Sequence, residues 1–136
     1  MFRLRRLLYH KRRQAAIVAS LAFATALCVA LLAARGLYSG STGHFRMLWN
    51  LFLAWLPMLG ALVAYNASKR PGRGRWLLVL PFLGFWLLFF PNAPYILTDM
   101  IHLRPSDAAP LWYDLILLVS FAWTGTFLGL VSLYLM

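Results

Sequence analysis

The sequence predicts an all-α fold: a polytopic transmembrane helix bundle of about four spans, the third broken or kinked at Pro91 and Pro94. Three observations carry that prediction. Only 12% of the residues are charged and 62% are hydrophobic, where a soluble domain holds about 25% charged residues. Four stretches, near residues 14–34, 47–67, 76–98 and 112–136, stay apolar over a length that crosses roughly 30 Å of hydrocarbon as helix. The basic residues gather before and between those stretches. Residues 1–136 therefore read as a single membrane domain. Continuous apolar runs of this length exclude membrane strands, which alternate in and out over about ten residues.

The first stretch follows a basic segment holding Arg3, Arg5, Arg6, Lys11, Arg12 and Arg13. Its 21 residues exceed the roughly 7–15 of a signal-peptide core, and no small-x-small cleavage site follows it. Leu27 stands before Cys28 where a lipoprotein site needs a small residue, so the stretch reads as a retained anchor. Cys28 is the only cysteine. It can form no internal disulfide or multi-cysteine metal site, and it reads as a small buried hydrophobe.

The connecting segments set the orientation. The N-terminus carries six Lys or Arg, the 35–46 segment two, the 68–75 segment four and the 99–110 segment one. This high-low-high-low order places the N-terminus and the Lys69-Arg70-Pro71-Gly72-Arg73-Gly74-Arg75 turn in the cytoplasm. The net charge of +10 then belongs to headgroup contacts, and the expected partner is a bilayer with anionic headgroups at the basic cytoplasmic segments. Nucleic acid is excluded as a partner, because no zinc-finger, RNP-like or helix-turn-helix pattern accompanies the charge. Trp49, Trp76, Trp112 and Tyr113 lie near span ends, where amphipathic rings settle at the headgroups.

The third stretch is irregular. From Trp76 to Phe90 it has fifteen residues, and then comes Pro91-Asn92-Ala93-Pro94. Each proline removes a backbone donor and disfavours helix in the residue before it. Asn92 can cap a new segment running through Tyr95. Two readings follow: a kinked helix continuing to Asp99, or a broken helix whose new N-terminus meets a polar or anionic group.

With that orientation the polar residues collect outside. The candidate ligand-binding residues are Asn50, Asn92, Tyr95, Asp99, His102, Trp112, Tyr113 and Asp114. Tyr95, Asp99 and His102 are spaced i, i+4, i+7 on one face, and Asp99 and Asp114 are expected to share a space between spans three and four. Three uses of such a cluster stay open: hydrated helix ends, a structural hydrogen-bond network, or a substrate site. No metal is expected, since His102 is the sole convincing nitrogen ligand. No motif names a catalytic residue or a cofactor: GxSxG, HExxH and phosphate-binding glycine loops are all missing. Gly125, Gly129 and Ser132 fall near one face of the last span, where a second helix, or a second copy of the chain, could approach closely.

Three passages are distinctive: Leu48-Trp49-Asn50-Leu51-Phe52-Leu53-Ala54-Trp55, Phe89-Phe90-Pro91-Asn92-Ala93-Pro94-Tyr95-Ile96-Leu97-Thr98-Asp99-Met100-Ile101-His102-Leu103, and Trp112-Tyr113-Asp114 followed by Ser120-Phe121-Ala122-Trp123-Thr124-Gly125. Together, from about Leu48 onward, they resemble a bacterial multi-pass membrane family, domain of unknown function 1361. The resemblance implies a helical membrane bundle in a bacterial cytoplasmic (inner) membrane, and it brings no activity, substrate or cofactor. It also implies further hydrophobic helices, in keeping with a chain that stops at Met136 inside an apolar run, as a fragment does. The leading functional expectation is a small polar ligand or lipid headgroup held at the outward cluster. The alternatives are a small transporter or proton-coupled carrier, and a structural subunit of a membrane complex.

The orientation is directly testable. A reporter active only in the cytoplasm is expected to work when fused after Arg73 and to be silent when fused after Ser106. The reverse pattern overturns both the orientation and the outward cluster.

Overall fold

The computed structural model describes residues 2–39, 46–95, 98 and 110–136, with the backbone alone for residues 2–10, Ser39 and Arg73. No strand occurs among them, and four helices are long and apolar enough to cross a membrane. The fold is a polytopic transmembrane helix bundle.

Helix α1 (Phe2–Ser39) has 38 residues, or about 57 Å at 1.5 Å per residue. Its membrane-capable part is Lys11–Tyr38. The helix does not stop at Ala34: it runs on through Arg35 and Gly36 to Ser39, so the glycine after Arg35 does not end it. Arg35 therefore sits on the helix, not in the connection that follows.

Helix α2 (Arg46–Ser68) turns Met47, Leu51, Ala54, Met58, Ala61 and Ala64 inward at three- and four-residue spacing. Pro57 is buried within it. The small residues on this face admit a neighbour closely: a Cβ on Gly60 would lie 3.0 Å from the Phe85 ring. The helix ends where Arg70 N–H donates to Ala67 O at 3.0 Å and Ser68 Oγ–H to Tyr65 O at 2.8 Å. Gly72 then takes φ +98°, which a residue with a Cβ rarely adopts. A 3-10 turn over Arg73–Arg75 leads into α3 (Trp76–Phe89).

The regular helix of the third span runs through Pro81 and gives way just before Pro91. Helix α3 ends at Phe89, and one turn, α4 (Asn92–Tyr95), follows. Asn92 Nδ2–H donates back to Phe89 O at 3.2 Å, and Ala93 N–H to Phe90 O at 3.1 Å. The Asn92 side chain thus serves a carbonyl at the end of α3 where the proline-rich sequence has thinned the supply of backbone donors.

Helix α5 (Leu111–Leu135) is the most enclosed, burying Asp114, Leu117, Leu118, Phe121, Leu128, Gly129 and Ser132 among others. Helix α2 packs on α3 and α5, α1 on α5, and α4 on α2 and α5. Polar rungs fix the pairing: Trp55 Nε1–H donates to Thr25 Oγ1 at 3.0 Å, and Trp86 Nε1–H to Ser132 Oγ at 3.1 Å. By contrast α3 buries only Trp86 and exposes Leu77, Leu80, Leu87 and Leu88. An apolar surface of this kind suits contact with lipid.

Gly129 is where α5 and α4 cross closely. A Cβ there would lie 3.0 Å from the Ala93 Cβ, whereas a Cβ on Gly84 meets nothing within 4 Å. Gly129→Ala is expected to lower stability by about 1 kcal/mol or more, and Gly84→Ala to leave it equal or raise it by up to about 1 kcal/mol. Unfolding of the two purified variants in mixed micelles checks this.

Candidate functional site

The end of the bundle where α1 finishes and α5 begins holds a buried ion pair. Its acid comes from the first turn of α5. Pro110 stands as N-cap with extended backbone and no side-chain cap, and its carbonyl accepts from Tyr113 N–H at 3.0 Å and Asp114 N–H at 3.4 Å. That turn directs Asp114 into the protein, where 3% of its surface stays exposed.

Its partner is Arg35, also 3% exposed. Arg35 Nε–H donates to Asp114 Oδ1 at 2.5 Å, and Nη2–H donates to Oδ2 at 2.9 Å. The planar guanidinium fork meets the carboxylate with two parallel bonds, the arrangement that best offsets removal of both charges from water. Leu31 and Arg35 stand one turn apart on α1, and the Tyr113 hydroxyl donates to Leu31 O at 2.8 Å. Lower on that stripe, Cys28 Sγ lies 3.3 Å from Thr124 Oγ1. Thr124 Oγ1–H already donates to Ser120 O at 2.8 Å, so the thiol is the donor. Residues 28, 31 and 35 thus fasten α1 to α5.

The remaining candidates separate. Asn50 is half-buried on α2. It lies five residues before Trp55, roughly 7–8 Å along the axis, which sets it at a level between Thr25 and Arg35. Arg35, Asn50 and Asp114 each have an interaction beyond those named. Asn92 is half-buried and turned to Phe89 O, and Tyr95 is exposed. Trp112 is 62% exposed, with its ring edge-on to Tyr113 at 5.8 Å. Asp99 and His102 lie outside the described residues, so the space expected between Asp99 and Asp114 does too. Among the described residues no three His, Cys, Asp or Glu side chains group as a metal site.

Arg35 is the site residue that sequence reasoning missed. In the sequence it counts among the two basic residues of the 35–46 segment. One signal could have found it: the need of an Asp inside a span for a counter-charge.

The arrangement pairs opposite charges and ties α1 to α5. Ser20, Ser120 and Thr126 hydroxyls each donate to the carbonyl four residues earlier on their own helix.

Residues 49–136 match the family described as "Protein of unknown function (DUF1361)". The chain belongs to that family. No curated protein and no solved structure matches it. The DUF1361 match takes in α2 from Trp49, the third span and α5, hence Asn50, Asn92, Tyr113 and Asp114. Helix α1 and Arg35 precede it. The ion pair therefore joins the DUF1361 region to the helix before it.

Removing one partner strands the other's charge away from water. Arg35→Gln and Asp114→Asn are each expected to cost about 3–5 kcal/mol. Trp55→Phe, which removes one neutral hydrogen bond, is expected to cost about 1 kcal/mol. Denaturation of each variant in the same micelles gives the comparison.

Proposed function

We propose that this DUF1361 member is a multi-pass protein of a bacterial cytoplasmic membrane with its N-terminus in the cytoplasm. Its outward end binds a small polar ligand or a lipid headgroup. The observation that carries this reading is the Arg35–Asp114 pair, buried beside Tyr113. Ionisable residues held at membrane depth commonly mark a binding or transport site.

The charge pattern supports the orientation. With Arg35 inside α1 and paired, Arg46 at the start of α2 is the one unburied basic residue of the 35–46 segment, against four Lys or Arg in the 68–75 segment before α3. In that turn Lys69 Nζ sits 3.8 Å over the Tyr65 ring, and Arg75 sits 5.3 Å over the Trp76 ring. Such cation-aromatic pairs suit a headgroup layer, and we assign this end the anionic lipids.

A polar site at one end favours binding over passage. Beyond the pair, Leu117, Phe121, Met58 and Leu128 fill the space between the helices and are fully buried. A carrier needs a hydrated path through that layer.

Release of the protein from its own membrane into mild detergent, followed by native mass spectrometry, tests the binding reading. One polar lipid or small molecule is expected to stay on the wild-type chain and to be lost from Asp114→Asn. A bare wild-type chain under conditions that retain its fold contradicts the reading.

A further inference from the structure

We infer that the turn between α2 and α3, together with the outer stripe of α3, binds a phospholipid that carries two phosphates, of the diphosphatidylglycerol (cardiolipin) kind. This rests on the anionic lipids assigned to that end above. The end in question is the one opposite Arg35 and Asp114.

Topology gathers the charge there. Helix α1 meets α5 at Cys28–Thr124 and at Arg35–Asp114, so residue numbers rise along α1 as they fall along α5. The third span meets α5 at Trp86–Ser132 and at Ala93–Gly129, in the same sense. Both α1 and α3 therefore begin at the end where α5 finishes. Lys11, Arg12 and Arg13 on the early part of α1, and Lys69, Arg70 and Arg75 at the turn, are all exposed. No acid precedes Asp99 in the sequence. Among the described residues the one acidic side chain is Asp114, at the opposite end with Arg35. Asp99 is four residues from Tyr95, and Asp107 four from Leu111. Four residues reach about 14 Å at most, short of the roughly 21 Å that α3 alone spans.

Two of these cations rest on aromatic rings. Lys69 Nζ stands 3.8 Å over Tyr65 at the end of α2, and Arg75 stands 5.3 Å over Trp76 at the start of α3. A ring holds a cation in place without neutralising it, so its N–H donors stay available to an outside anion. Helices α2 and α3 pack together, and packed helices lie about 8–10 Å apart. The rings thus supply two clamps, one on each side of the turn. Two phosphates on one short bridge suit them, because the first phosphate to bind tethers the second close to its clamp.

Past the clamps the surface is apolar. Leu77, Leu80, Gly84, Leu87 and Leu88 follow one face of α3, and all are exposed. A Cβ on Gly84 meets nothing within 4 Å. The stripe starts two residues after Arg75. A ligand charged at one end and bearing long apolar chains covers both parts. A soluble polyanion leaves the stripe bare, and an apolar helix leaves the cations unmatched.

The test uses the purified full chain in detergent micelles. Cardiolipin, phosphatidylglycerol and phosphatidylcholine are titrated, with binding read by native mass spectrometry. Cardiolipin is expected to bind about tenfold tighter or more per phosphate than phosphatidylglycerol, and phosphatidylcholine more weakly than either. Lys69→Gln and Arg75→Gln each leave a single clamp and are expected to bring that ratio to about threefold or less. Lys11→Gln/Arg12→Gln on α1 is expected to keep it. Circular dichroism checks the fold of each variant, and the wild-type ratio decides the question even if one fails to fold. Equal binding of cardiolipin and phosphatidylglycerol per phosphate overturns the two-phosphate ligand while leaving anionic lipids at this end. A ratio lost equally in the α1 variant overturns the turn as its site. A dimer that binds no cardiolipin gives the α3 stripe to a second copy and also overturns the inference. Equal binding of all three lipids removes both the inference and the lipid assignment beneath it.

Discussion

Every polar group carried into the apolar layer of this bundle must find its partner inside the protein, and the rest of the structure is arranged around that requirement. Hydroxyls of serine and threonine turn back to carbonyls of their own helices. The indoles of Trp55 and Trp86 reach across to Thr25 and Ser132. Asn92 serves a carbonyl beside the proline interruption. An exception among the described residues is Gln14 Nε2, buried with no partner among them. The strongest case is the Arg35–Asp114 pair, where two full charges satisfy each other.

That pair decides more than one level of structure. It draws the first turn of α5 inward and ties it to the last turns of α1, while Tyr113 adds a second tie at Leu31. Below it the Cys28 and Thr124 contact keeps the two helices in step. A buried ion pair contributes little net stability compared with well-packed apolar side chains. Its presence in the bundle is therefore better explained by the helix register it fixes than by net stability.

The spans were legible because lipid demands long unbroken apolar runs, and the runs that end in α2 and α5 coincide closely with the helices found. The family resemblance from Leu48 onward was legible from the Phe89–Leu103 and Trp112–Asp114 passages, and the DUF1361 match covers the same part of the chain. Asp114 stood out as an acid inside a span. Its partner did not. Arg35 follows an alanine-leucine run, and a basic residue just past an apolar stretch usually marks the water boundary. Only the continuation of helix through Tyr38, and the packing of α1 on α5, turn that residue inward. Pairing across 79 residues of sequence is a tertiary fact that no local pattern encodes.

The central claim is that Arg35 and Asp114 form one energetic unit joining α1 to α5. A double-mutant cycle on the folded chain measures this most directly, using Arg35→Met, Asp114→Leu and the two together. The account predicts a coupling of about 1.5 kcal/mol or more, with the double variant far closer to wild type than the two single losses imply. Losses that add to within about 0.5 kcal/mol, as those of distant independent sites do, would contradict it.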